Sequence, residues 1–149
     1  MSNIIWKIKS FEELLAPELY EIIKARVDVF VVEQNTPYHD LDDCDQNAIH
    51  IWAEQDKNVL AYCRIFDQNI KYPETSIGRV LTTEKARGKK LGKQLIQYAV
   101  ETIENRFKTS EIRISAQDYL IKFYSDFGFE DTGKKYLEDS LPHTEMCRK

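Results

Sequence analysis

Residues 77–95 constrain this chain more than any other stretch. They open apolar and β-branched at Ile77, Val80 and Leu81. They close on Leu91 and Leu95, which with Ala99, Thr102 and Ile103 mark one face of a helix running to about Phe107. A strand must therefore feed a helix through a connector that carries Lys85, Arg87, Gly88, Lys89 and Lys90, with Gly92 and Lys93 in the first helical turn. The first N–H groups of a helix are unpaired and its dipole is positive there, so acidic residues suit that end. Positive side chains gathered at it imply that an external anion supplies the negative charge, a phosphate or pyrophosphate. The alternative is a solvated turn whose lysines seek water.

The rest of the chain falls into order around that unit. Ile4, Trp6 and Ile8 alternate with polar residues over a first strand at 4–9. Ser10 and Glu13 have capping-box spacing, and Pro17 suits the start of the helix that follows. Leu19, Ile22, Ile23, Val27 and Phe30 recur at helical spacing, and that helix fades near 31–33. Strands are expected at 49–53 and 59–66, joined by a hairpin turn at Asp56-Lys57-Asn58. A further strand at 75–82 holds Gly78, a bulge signal. A central strand at 112–116, a short helix at 119–127 ended by Gly128, and strands at 130–137 and 144–148 complete the chain. The order β-α-β-β-β-α-β-α-β-β predicts an α/β fold: one mixed sheet with helices on both faces, as a single domain over 1–149.

Composition excludes several classes. Net charge is -4, whereas nucleic-acid binding needs a basic surface. No apolar run is long enough to cross a membrane, and the N-terminus does not read as a signal peptide. Cys44, Cys63 and Cys147 are odd in number and widely spaced, which fits reduced thiols in a cytoplasmic protein. No Cys-x-x-Cys or His-x-x-x-His pair points to zinc.

Two features stand apart from the periodic framework. Arg26 falls in the apolar stripe of its helix, where an inward arginine needs a partner or a wet pocket. Residues 36–47 carry Tyr38, His39, Asp40, Asp42, Asp43 and Asp45. The calcium-loop pattern fails for want of its central glycine and terminal glutamate, so no metal is expected. The loop is then either a solvated surface or an acidic wall that attracts a cationic substrate.

With these residues in view, the sequence resembles the GCN5-related N-acetyltransferases, and within them the ElaA-like branch. Three parts carry the resemblance over nearly the whole chain. They are Arg26-Val27-Asp28-Val29-Phe30-Val31-Val32-Glu33-Gln34 with Pro37, Tyr38 and Asp40; residues 78–92; and residues 117–129 with Phe123-Tyr124 and Gly128-Phe129. The resemblance implies the GNAT acyl-CoA N-acyltransferase fold, with acetyl-CoA as acyl donor and no metal.

The family pattern Arg/Gln-x-x-Gly-x-Gly/Ala falls on Arg87-Gly88-Lys89-Lys90-Leu91-Gly92, whose backbone N–H groups, with Lys93, would hold the CoA pyrophosphate. Lys90 stands where the first glycine is usual; a lysine there removes no N–H donor, so anion binding survives if the backbone stays helical with φ negative. Val80, Leu81 and Thr82 match the strand that pairs with the pantetheine arm. Gln117, Phe123 and Tyr124 match the C-terminal signature, in which the tyrosine faces the CoA sulfur and would act as catalytic acid. Gln117 replaces asparagine, and Leu120 replaces alanine.

For the acceptor side, Arg26, Glu33, Tyr38, Asp40, His50, Arg64 and His143 are candidates from the helix end, the acidic loop and the cleft strands. His50 alternates with apolar residues and reads equally as a core histidine, and His143 follows Pro142 in an expected turn. The implied reaction is direct transfer of an acetyl group to a primary amine, of a small molecule or a peptide, with no nucleic-acid or membrane partner. A homodimer is left open. A CoA or acyl-CoA sensor on the same fold is the alternative. An acyl-homoserine-lactone synthase, which would need a larger chain and an acyl-carrier partner, ranks third.

Overall fold

The computed structural model describes residues 3–149. Strands β1 (Ile5–Ser10), β2 (Ile49–Gln55), β3 (Asn58–Phe66), β4 (Thr75–Thr82), β5 (Ile112–Gln117), β6 (Phe129–Glu138) and β7 (Leu141–Arg148) form one sheet. Their order across it is β1-β2-β3-β4-β5-β7-β6. Helices α1 (Ala16–Arg26) and α2 (Leu91–Phe107) cover opposite faces, and the short α3 (Ile121–Ser125) packs beside β5 and β6. This is the mixed α/β sheet that the element order predicts.

Strand alternation explains both layers. Ile51 and Ala53 of β2 pack on the α2 side with Leu95, Ile96, Ala99 and Ile103. Trp52, between them, joins Ile22, Ala25, Tyr62 and Leu81 on the α1 side. With both faces covered, β3 is buried from Val59 to Phe66 and reads as a nearly unbroken apolar run. The β2–β3 hairpin closes through Asp56 and Lys57 with φ of 52° and 68°, the left-handed pair of a two-residue turn.

Two irregularities in β4 make room for a site. First, β4 and β5 run parallel and pair only at Thr75–Ile112 and Ser76–Arg113. Among the described residues the ladder ends there, so the β5-facing backbone groups of residues 77–82 have no strand partner. Second, the β3–β4 register jumps between Tyr62, opposite Leu81, and Arg64, opposite Gly78. Cys63 therefore faces two residues, Arg79 and Val80. The bulge signal at Gly78 is displaced by one position: Arg79 takes the left-handed conformation, φ 51°. A bulge bends its strand and re-aims side chains, and Arg79 is held by Asp40 Oδ1 at 2.9 Å from its Nε.

Three local outcomes differ from expectation. The helix after Pro17 does not simply fade, because α1 passes into a π-helical segment over Val27–Glu33. Val27, Val29, Val31 and Val32 are β-branched and stiff at χ1, which weakens the α-helical alternative. The short helix expected at 119–127 is a 3₁₀ turn at Asp118–Leu120 followed by α3. It stops where Gly128 adopts φ +90°. The last strand starts at Leu141, so His143 lies within β7 and opposite Gln117 rather than in a turn. No described helix is long and apolar enough to cross a membrane, and the three cysteines are free.

Candidate active site

The connector between β4 and α2 is built as the charge pattern requires. The first turn of α2 contains no acidic residue, and its N-cap makes no side-chain hydrogen bond. The N–H groups of Leu91, Gly92 and Lys93 have no intrahelical acceptor by the geometry of any helix start. Gly88 has φ +88° and Lys90 φ +60°. The expectation of a negative φ at Lys90 is thus corrected. The chain enters the helix through a left-handed residue, a conformation that costs a non-glycine residue about 1–2 kcal/mol. Consecutive turns of this kind shape backbone N–H groups into an anion-sized concavity. A Cβ added at Gly92 would stand 3.7 Å from Thr82 Cγ2 and 3.8 Å from Phe123 Cζ, ordinary contact distances.

That connector forms one wall of a cleft of about 840 Å³ whose other walls are the π-helical segment, β4 and α3. Val80, Leu81, Thr82, Arg87, Gly88, Lys90, Leu91, Gly92, Lys93, Gln117, Phe123 and Tyr124 line it together. Lys89 does not: it is exposed, and its N–H is bonded to the Ala86 carbonyl at 3.1 Å. Glu33 lines the same cleft and lies 2.7 Å from Arg87.

A second cavity of about 320 Å³ continues from the first between the parted ends of β4 and β5. Phe30, Gln34, Val80, Gln117, Leu120 and Tyr124 line both, so these residues stand at the junction. Tyr124 is 4% exposed, and burial pushes its phenol well above the ordinary tyrosine range. Edge-on contacts with Phe123 and Phe129 hold the ring. The hydroxyl has no protein hydrogen-bond partner among the described residues. The arrangement presents a neutral phenol where the two spaces meet.

The acceptor candidates separate into three groups. Tyr38, Arg64 and His143 line the smaller cavity, and Glu33 lines the larger. Arg26, Asp40 and His50 line neither, which corrects their candidacy as substrate contacts. Arg26 is fully buried, donating to Asp40 Oδ2 at 2.8 Å and Asp45 Oδ1 at 2.7 Å. His50 is also fully buried, between the Tyr62 hydroxyl at 2.6 Å and the Asp45 carbonyl at 3.0 Å, and its burial disfavours the charged ring.

The acidic wall is corrected as well. Arg64 bonds both Asp42 and Asp45, Arg79 pairs with Asp40 and Asp42, and Lys71 reaches Asp42 at 3.3 Å. Burial alone would raise the Asp42 and Asp45 carboxyls, but the arginines beside them outweigh it and hold both below the usual carboxylate range. These aspartates pin the loop to the sheet and are not free to attract a cation. Among the described residues no group of three or more His, Cys, Asp or Glu side chains could hold a metal ion.

Sequence patterning passed over several lining residues: Phe30 and Gln34 at the π-helical end, Lys71, Tyr72 and Ser76 around the start of β4, and Arg79 and Glu138. The available signal was the Gly78-Arg79 pair, since a charged residue after a glycine inside a strand marks a bulge that turns a side chain toward a cavity.

Residues 18–149 match the family model described as an acetyltransferase (GNAT) domain. Protein ElaA of Escherichia coli is 36% identical over 147 residues, covering 97% of this chain and 96% of its own. The crystal structure of an acyl-CoA N-acyltransferase from Pseudomonas aeruginosa superposes with a TM-score of 0.94 at 36% identity, over 99% of this chain and 100% of that one. The crystal structure of Escherichia coli ElaA gives 0.90 at 35% identity, over 97% and 99%. The chain belongs to the GNAT acetyltransferase family and has the acyl-CoA N-acyltransferase fold.

Proposed function

We propose that this protein is a cytoplasmic acetyl-CoA-dependent N-acetyltransferase that acts on a primary amine by direct attack, with no covalent enzyme intermediate. One observation carries the proposal: Tyr124, a buried neutral phenol, stands at the junction between a cleft with an acid-free helix start and a cavity opening at the parted β4–β5 edge. The residues fit coenzyme A. The start of α2 offers the unpaired N–H groups of Leu91, Gly92 and Lys93, and the turn before it offers positive charge for a diphosphate. The free edge of β4 at Val80, Leu81 and Thr82 offers backbone groups for an amide-bearing arm.

Acetyl-CoA, when bound, supplies the activated acyl group. The residues of the chain do the rest. Backbone N–H groups of β4 polarise the acyl carbonyl. Tyr124 donates its proton to the departing thiolate. The acceptor enters from the smaller cavity, where a base or a bound water chain takes its proton.

The test is an acetyl-CoA turnover assay over amines, peptides and amino acids, reading thiol release. Turnover with any acceptor supports the proposal. CoA binding without turnover on any of them overturns it in favour of a non-catalytic CoA or acyl-CoA sensor.

A further inference from the structure

Both cationic and acidic side chains line the smaller cavity. Arg26, Arg64, Lys71 and Arg79 form a continuous network with only Asp40, Asp42 and Asp45. Three arginines share three carboxylates, and the fourth cation, Lys71, is exposed at the rim of the network. Asp43, the loop's remaining aspartate, is exposed.

Unused donors occur in the same cavity. Arg64 is 1% exposed and Ser76 3% exposed, and both line the cavity. Arg64 Nε and Ser76 Oγ are buried without a hydrogen-bond partner among the described residues. Buried polar groups are nearly always satisfied, and those that are not call for a specific explanation. Arg79, in its left-handed bulge, donates from Nη2 to the Asp40 carbonyl at 2.9 Å, while its Nε, 2.9 Å from Asp40 Oδ1, lacks hydrogen-bond geometry. Strained backbone of this kind concentrates at ligand sites.

Two acidic residues line the same cavity. They are Glu138 and Asp139, and Glu138 Oε2 lies 3.5 Å from His143 Nε2. His143 Nδ1 is 2.8 Å from the Leu141 carbonyl. A carbonyl only accepts, so Nδ1 carries a proton and Nε2 is left to accept or, when protonated, to pair with Glu138. His143 pairs in register with Gln117, a residue of the junction. Glu138 and His143 therefore adjoin the place where the amine must react.

We infer that the acceptor is a small amino acid: an amine that also carries a carboxylate, with the carboxylate held at Arg79, Ser76 and Arg64 and the ammonium received near Glu138 and His143. The inference rests on the proposed transferase activity for its second half only, because the carboxylate site binds or fails to bind without turnover. A volume of about 320 Å³ suits a small molecule and lies at the lower end of the usual range for ligand pockets.

The experiment uses matched pairs: α-, β- and γ-amino acids and the corresponding carboxamides, which keep the amine and lose the anion. Thiol release from acetyl-CoA gives kcat/KM for each. Calorimetric titration of the N-acetylated forms, with no acetyl-CoA present, gives affinity independently of catalysis. For the best pair the acid should exceed the amide at least roughly tenfold in affinity, the size of a charge-assisted hydrogen bond, and in kcat/KM where turnover occurs. That ratio should collapse in Arg79→Met and narrow in Ser76→Ala. Lys71→Met, at an exposed position, gives a second charge variant if Arg79→Met fails to fold, and it too should narrow the ratio. Absence of turnover with every amine defeats the transferase proposal, and the titrations then decide the carboxylate site alone. Equal binding of acids and amides, or no binding of any acid, overturns the inference.

Discussion

Arg87 Nη1 lies 2.7 Å from Glu33 Oε1, so the turn before α2 is tied across the larger cleft to the end of the π-helical segment. Arg87 also donates to the Thr82 carbonyl at 3.2 Å, which orients the guanidinium along β4. A diphosphate arriving at this turn competes with Glu33 for Arg87. Both side chains are substantially exposed, and pairs of that kind are worth about 0.2–1 kcal/mol. Glu33→Gln should therefore tighten CoA binding by up to roughly fivefold. Calorimetric titration with CoA measures it, and weaker binding in the variant would show that Glu33 supports the ligand rather than opposing it.

The turn itself makes a sharper prediction. A side chain at Gly92 meets only Thr82 Cγ2 and Phe123 Cζ at ordinary contact distance, so Gly92→Asp should fold with little change in Tm. Its carboxylate would stand among the free N–H groups intended for phosphate and should weaken CoA binding at least roughly tenfold. Lys90→Gly tests the backbone separately. It relieves a left-handed lysine and should raise stability by about 1 kcal/mol in a urea titration. No gain would mean that the left-handed conformation costs Lys90 nothing.

Arg26 anchors the loop that walls the smaller cavity. Removing one partner from a buried ion pair leaves the others uncompensated, and the loss is typically about 3–5 kcal/mol. Arg26 is fully buried with both Asp40 and Asp45 on it, so Arg26→Met should lose about that much. Acceptor turnover should fall with it. Unfolding at wild-type midpoint would show the network to be dispensable.

Glu18 fastens α1 to β1. It accepts from Lys7 and Lys9 at 2.8 Å and from the Leu15 N–H at 2.9 Å. Burial alone would raise its carboxyl, yet these partners bring it down from 4.5 to about 2. A depressed carboxylate stabilises the fold above its unfolded pKa and loses that contribution as pH falls through the folded value. Wild type should thus lose stability as pH falls from about 4.5 to about 2 on account of this residue. Glu18→Gln should be less stable at neutral pH, with a difference from wild type that closes over that window. Chemical denaturation at stepped pH reads it, and a gap that persists at pH 2 would assign the loss to packing.

Periodicity made the framework legible. Leu91, Leu95, Ala99 and Ile103 recur on one face, and they become the inner stripe of α2. The strand expected at 75–82 is β4 to the residue. The site was harder to read because its determinants are not periodic. The helical spacing that runs through Val27 and Phe30 does not distinguish an α-helical from a π-helical course. A lysine carries no sign that it will be left-handed. The aspartates of the loop look like a surface charge run because their arginine partners are distant: Arg26 precedes Asp40 by 14 residues, and Arg64 follows Asp42 by 22. Charge, in this loop, reports tertiary pairing rather than an attraction for ligands.

Tyr124 should act as the acid that protonates the departing thiolate. Its placement follows from α3, where Ile121 and Phe123 pack against the core and Gly128 ends the turn, leaving Tyr124 at the junction of the two spaces. Burial pushes the phenol well above its ordinary range, which favours the protonated form at neutral pH. The rate should accordingly show no basic limb from this residue below pH 10. Tyr124→Phe keeps the ring and its edge contacts with Phe123 and Phe129 and deletes only the hydroxyl. With no protein hydrogen bond lost, folding and CoA affinity should stay near wild type. A positioned acid is worth about 10²–10⁴-fold, so kcat should fall at least roughly tenfold, a lenient bound. Pre-steady-state thiol release separates the chemical step from product release. An unchanged chemical rate would assign proton delivery to water, and weakened CoA binding would make Tyr124 a wall of the cleft rather than its acid.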